Sequence, residues 1–119
     1  MSKRRWRIRL GAAAERDFST ILQWTKETFG VRQVQIYRDV IVEALTSLTE
    51  GPDVPGATAR DEILPGLRTL HVRRPGRHFV VYRAGVGDTI EIVRILHDAM
   101  DLARHIASED PGSETSRRE

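Results

Sequence analysis

The chain has 119 residues, of which 39% are hydrophobic and 30% charged. That balance suits one soluble globular domain with a single core, and no run approaches the roughly 18 apolar residues of a membrane span. Cysteine is absent, which excludes disulfides, thiolate zinc sites and a cysteine nucleophile.

Net charge is +2. Residues 1–106 carry 17 basic and 13 acidic side chains, whereas the last thirteen residues carry 2 and 4. The only lysines are Lys3 and Lys26. An arginine-dominated basic surface suits bidentate pairing with phosphate or carboxylate, and composition alone favours neither nucleic acid nor an acidic protein. The basic start "MSKRRWRIRL" lacks the apolar segment of a signal peptide, so the cytoplasm is the expected location.

Along the chain, "RWRIRL" alternates Trp6, Ile8 and Leu10 with Arg5, Arg7 and Arg9, the period of a half-buried strand. Ala14, Phe18, Ile21, Leu22, Thr25 and Phe29 then repeat at helical spacing up to Gly30. A second helix follows, with Val34, Tyr37, Val40, Ile41, Ala44, Leu45 and Leu48 as its stripe and Gly51-Pro52 as its stop. The short link at Gly30 predicts an antiparallel hairpin. Residues 51–66 hold three of the five prolines and read as an irregular crossing. Three strands are expected next: "LRTLHVRR" up to a Pro75-Gly76 turn, "RHFVVYRA" up to a Gly85–Asp88 turn, and "TIEIVRILH".

Strict alternation on the last strand puts Ile90, Ile92 and Leu96 on one face, with Val93 and Ile95 on the other. Apolar residues on both faces predict a central strand covered twice. The hairpin covers one side, which leaves the second for a partner. Asp98 is the expected cap of a closing helix, "DAMDLARHI". The expected domain is residues 1–107, followed by a polar, disordered tail over residues 108–119.

This order, β-α-α-β-β-β with a short final helix, describes an α+β fold: a small antiparallel sheet with an N-terminal helical hairpin on one face. Four stretches resemble the ParE branch of the RelE/ParE toxin superfamily: the first helix with its Phe29-Gly30 exit, "DEILPGLRTL", "GRHFVVYR" and "IEIVRILHDAMDLARHI". Together they reach from about residue 8 to residue 106. Gly11 departs from the Ser or Thr that the family often has at that helix cap. The resemblance implies a toxin that poisons DNA gyrase by binding. It also implies a ParD-like antitoxin that neutralises it in a hetero-oligomer, with no cofactor, no membrane and no sequence-specific nucleic-acid contact.

The RelE branch shares the fold and cuts messenger RNA on the ribosome, so an endonuclease is the alternative. Its chemistry needs a base, an acid and cations for the charged phosphorane. His97, Arg94, Arg83 and Glu62 are the residues that could supply it. Against this, nucleases of the YoeB type carry an arginine where this chain has Phe79, and His-Tyr where it has His97-Asp98. Nucleases resembling YafQ use several histidines, and His71, His78 and His97 keep that possibility open. A third reading is a non-toxic relative that only binds its antitoxin.

For partner binding the candidates are Arg68, Arg83, Arg94 and His97, expected to cluster on adjacent strands, together with Trp24, which lies off the first helix's stripe. Structural roles compete with each assignment. Arg68 with Glu62, or Arg94 with Asp101, would hold the loop and the last helix to the sheet. Asp101 and His105 with His97 lack a fourth metal ligand, so solvated helix polarity is the expected reading. The basic start is read as a charged edge strand that discourages aggregation, although it could also touch nucleic acid.

Overall fold

The computed structural model describes residues 5–73 and 77–108. Its elements run β1 (Arg7–Leu10), α1 (Ala12–Phe29), α2 (Val31–Ser47), a 3-10 turn at Leu48–Glu50, β2 (Ala57–Ala59), β3 (Arg68–Val72), β4 (His78–Ala84), β5 (Thr89–His97) and α3 (Leu102–Ser108). The α+β class is as expected, and the expected elements occur in the expected order with one further strand, β2, added before the three-stranded meander. The Pro75-Gly76 turn and the tail from residue 109 lie outside the described residues.

One residue joins the two helices. Gly30 has φ 96°, a conformation that side chains disfavour, and its N–H donates to the Lys26 carbonyl at 2.9 Å. A single permissive glycine therefore reverses the chain with no loop at all. The start of α1 is tied to the sheet by the Gly11 N–H, which donates to the Ile92 carbonyl at 3.0 Å.

The strands are ordered β1-β5-β4-β3-β2. Pairings β2–β3, β3–β4 and β4–β5 are antiparallel, but β1 runs parallel to β5. The sheet is therefore mixed, because the hairpin returns the chain to the same end before β5 is laid beside β1. β2 is a strand inside the stretch read as irregular. Its three small residues, Ala57–Ala59, pair with Arg68–Leu70, and so short a run carries no periodic signal.

β5 is interior, with β4 in the middle of the sheet. A bulge changes its phase. Val81 opposes Arg94 and Tyr82 opposes Ile92, which leaves Val93 as the extra residue. Beyond it the faces swap. Ile95 joins Ile90 and Ile92 in the core under the hairpin, with Tyr37, Ile41 and Tyr82. Leu96 packs on the opposite face with Val81 and Val93.

That second face is covered by the chain itself rather than by a partner. Leu67 and Ile106 are buried there, and Ile63, Leu64 and Leu102 pack around them. The Arg60–Leu67 loop is folded tightly over the sheet: the Arg60 N–H donates to the Leu67 carbonyl at 2.7 Å, and the Gly66 N–H donates to Asp61 Oδ1 at 2.7 Å. Loop and α3 together act as a lid of apolar side chains over the Val81 end of the sheet.

Candidate functional site: a groove between the hairpin and the sheet

The apolar stripe of α1 runs past the end of the sheet. Ile21 lies one turn before Thr25 on the stripe, Trp24 flanks it one turn on from Ile21, and Phe29 follows at the helix end. Thr25 is buried because its hydroxyl donates back to the Ile21 carbonyl at 2.7 Å. Opposite stand Gln33 and Tyr37 of α2, and Arg77, His78 and His97 at the adjoining ends of β4 and β5. These residues enclose an open groove of about 600 Å³.

Its outer wall is aromatic. Trp24 is 58% and Phe29 61% exposed, and their rings meet edge to face with centroids 5.6 Å apart. Two large aromatic side chains are thus left in water side by side at the groove mouth.

The inner end is polar and tightly wired. The Tyr37 hydroxyl is hydrogen-bonded to Nδ1 of His78. His78 and His97, directly opposed across the β4–β5 pair, meet edge to face with ring centroids 5.4 Å apart. Behind them the Asp98 carboxylate accepts from His71 Nε2 at 2.8 Å and from Arg77 Nε at 2.9 Å. His71 Nδ1 in turn accepts from Arg73 Nε at 3.3 Å, so its proton sits on Nε2. The His71 hydrogen bond, reinforced by Arg77, holds Asp98 below the ordinary carboxylate range. Burial, then the Asp98 charge, pushes the Tyr37 hydroxyl up.

Burial, reinforced by the neighbouring His97, lowers His78 to about 4. The sign of its linkage is therefore set. The unfolded chain takes up this proton near the ordinary value of about 6.5, whereas the folded chain resists it until about 4. The contribution is complete above the unfolded value and is lost as pH falls through this window. Stability measured by denaturant unfolding is expected to drop from pH 6.5 to 4, and less steeply in His78→Gln. Identical slopes in both proteins would remove His78 as the cause. Asp98 acts separately, at pH values below this window.

The expected cluster of cations does not form. Arg68 donates through Nε to Asp53 Oδ1 at 3.1 Å, not to Glu62, because the crossing loop places Asp53 beside β3. Glu62 instead lies 4.0 Å from Arg60 and is largely exposed. Arg83 donates to Glu91 Oε1 at 3.1 Å. Arg94 pairs with Asp17 of α1, not with Asp101: Nε and Nη2 reach its two oxygens at 2.7 and 2.9 Å. His97 sits at the groove, its Nδ1 accepting the Ala99 N–H at 3.1 Å.

In the β4–β5 register His97 opposes His78, whereas Arg83 opposes Glu91 near the other end. The four residues proposed for RNA cleavage therefore do not converge. Asp98 is not the helix cap either: its side chain is committed to His71 and Arg77. α3 starts later, and Asp101 Oδ1 accepts the Arg104 N–H at 3.4 Å. Among the described residues no three histidines or carboxylates gather as metal ligands.

Of the sequence-derived candidates, the groove brings together Trp24 and His97. Tyr37, Phe29 and Arg77 were missed, and His78 was named only among the histidines of the nuclease alternative. Phe29 carried a usable signal, an aromatic residue immediately before a helix-ending glycine and five positions after Trp24. Tyr37 carried none, since its pairing with His78 joins positions 41 apart in the chain.

A family model for the ParE toxin of the type II toxin–antitoxin system parDE matches residues 8–102. Toxin ParE1 of Mycobacterium tuberculosis is 33% identical over 100 residues, spanning 84% of this chain and 97% of the relative. Toxin ParE1 of Caulobacter vibrioides is 31% identical over 99 residues, spanning 82% and 95%. A solved structure of a chromosomal ParDE TA system from P. aeruginosa covers 80% of this chain and 98% of its own, with a TM-score of 0.62 and 22% identity. That likeness concerns the fold.

Proposed function

This chain belongs to the ParE toxin family of type II toxin–antitoxin systems, and from that membership we propose that it poisons DNA gyrase by binding and is neutralised by a ParD-like antitoxin. The observation that carries the reading is the groove: an aromatic, solvent-facing wall opposite an ordered polar end. It suits a peptide segment with a large apolar anchor and a polar or acidic neighbour. The antitoxin supplies that segment in the proposed complex. No helix among the described residues is long and apolar enough to cross a membrane, and the proposed site of action is the cytoplasm, where gyrase works.

Action by binding is supported by the state of the would-be catalytic groups. Arg94, Arg83 and Glu62 are each engaged with a neighbouring charge, and none faces His97. A transition-state phosphorane needs its cations and its proton carriers around one point.

One observation favours the endonuclease as the second reading. His71, His78 and His97 gather at one end of the sheet. Moreover, the Phe79 ring stacks on His71 at 4.5 Å, with the Arg60 guanidinium 5.4 Å from its centre. A cation is thus present near the position where the nuclease pattern has its arginine.

Two assays on the purified chain separate the readings: inhibition of gyrase supercoiling, and cleavage of messenger RNA on ribosomes. Inhibition without cleavage is expected. Cleavage without inhibition replaces the proposal with the endonuclease, and neither activity leaves a protein that only binds its antitoxin.

A further inference from the structure

The groove beside the hairpin suits more than a protein segment. Its volume of about 600 Å³ lies within the roughly 300–1,000 Å³ of small-molecule sites, which share its make-up of apolar walls and a few convergent polar groups. Ile21, Trp24 and Phe29 supply the apolar side, and Tyr37, Arg77, His78 and His97 the polar end.

The polar groups open to a ligand are mostly donors. His97 Nδ1 accepts the Ala99 N–H at 3.1 Å, so the neutral ring carries its proton on Nε2 and has only that donor left. About half of this side chain is exposed. Arg77 commits Nε to Asp98 at 2.9 Å, yet its side chain is largely exposed, and every polar group on a guanidinium donates. The Trp24 indole on the outer wall likewise donates and cannot accept. Tyr37 and His78 are bonded to one another, and burial lowers His78 to about 4, so it adds no positive charge at neutral pH. A ligand that satisfies this set brings acceptors.

Asp98 sets how much negative charge that ligand carries. Its side chain is almost buried behind His71 and Arg77, and the His71 hydrogen bond, then Arg77, hold it below the ordinary carboxylate range. A phosphate ester with two charges would be repelled by it. A single negative charge gains the Arg77 and His97 donors against less opposition. The apolar side then calls for an aryl body, because the exposed Trp24 and Phe29 rings offer it edges and faces to pack on.

We propose that this groove binds a small monocarboxylate with an aryl body, the carboxylate facing His97 Nε2 and the Arg77 guanidinium and the body lying against Trp24 and Phe29. Donors and charge select this class whatever the toxin's target is, and whether or not the antitoxin uses the same surface.

Titration of the isotope-labelled full chain with phenylbutyrate, followed by NMR, tests this with neither gyrase nor antitoxin present. The Trp24 indole N–H and the His97 ring signals are expected to shift together and to saturate with a dissociation constant of about 1 mM or lower. The Trp6 indole, beside Gly51, stays in place. Phenylbutyramide should bind at least about fivefold more weakly, having lost the charge that strengthens these hydrogen bonds, and phenylbutylamine more weakly still. Trp24→Ala and His97→Leu each weaken phenylbutyrate at least about fivefold, whereas His97→Gln, which keeps a donor, weakens it less than about threefold. Val86→Asp, at the opposite end of the β4–β5 pair, changes nothing. No saturable shift by about 10 mM ligand overturns the proposal, as do shifts confined to residues outside the groove. Amide or amine binding as tight as the carboxylate overturns it too. So does tighter binding of phenylethyl phosphate, a dianion, or of N-acetylphenylalanine amide, which carries the same ring on a peptide main chain.

Discussion

Asp17→Ala is expected to destabilise the protein by about 3–5 kcal/mol, the cost of removing one partner from a buried ion pair. β1 stops at Leu10, opposite Ile92, so among the described residues no strand lies beside the outer edge of β5 further along. Asp17 of α1 takes that place. One oxygen accepts both Arg94 Nε at 2.7 Å and the Ile95 N–H at 2.9 Å, and the other accepts Arg94 Nη2 at 2.9 Å. Both side chains are only 14% exposed. The alanine variant takes both carboxylate contacts away from Arg94 and leaves the Ile95 N–H without its acceptor, and its melting temperature should fall by more than about 12 °C. Asp17→Leu combined with Arg94→Met is expected to recover part of the loss and not all, since the Ile95 N–H remains unpaired. Arg68→Ala is the contrast. Its partner Asp53 is 78% exposed, and such pairs contribute less than about 1 kcal/mol. Denaturant unfolding of the four proteins checks the set. A loss below about 1 kcal/mol in Asp17→Ala contradicts this role for Asp17. The same result bears on function: weaker toxicity in Arg94→Ala should track its stability rather than report a lost partner contact.

How far the fold is legible in the sequence depends on the distance over which each choice is made. The helices are readable because their stripes repeat every turn, and Gly30 marks the reversal. The two-faced apolar pattern of β5 correctly signals an interior strand. Its phase is not readable, because the bulge at Val93 depends on how β4 pairs with it, and no residue type announces it. β2 is invisible for a different reason: three small residues become a strand only when β3 offers an edge. The site is less legible still. Arg94 and Asp17 are 77 positions apart, and the nearer Asp101 was the partner expected. Trp24 was identifiable because an indole off the apolar stripe has no local reason to be there. The rest of the groove is assembled from two helices and two strand ends, and its polar end exists only once Tyr37 meets His78.

Trp24→Ala is expected to weaken antitoxin binding at least about 30-fold, or about 2 kcal/mol, while leaving the fold intact. The two halves of that expectation have one cause. In the free protein the indole is mostly in water and packs chiefly against Phe29, so its removal opens no cavity in the core. In the proposed complex it becomes the wall of a filled groove, and its whole ring is taken out of water. An aromatic side chain needs little ordering to do this, having only two rotatable bonds, which is why such residues dominate binding surfaces. Phe29→Ala should reproduce the effect in part, because the two rings support one another edge to face. Val86→Asp provides the control. Val86 is 94% exposed at the Gly85–Asp88 turn, away from the groove, so binding should be unchanged despite the added charge. Calorimetric titration with the ParD-like antitoxin, alongside thermal unfolding of each variant, measures both quantities. If Trp24→Ala binds like the parent protein, the antitoxin does not use this groove. If gyrase inhibition falls in step with antitoxin affinity, one surface serves both partners, and the antitoxin neutralises by occupying it.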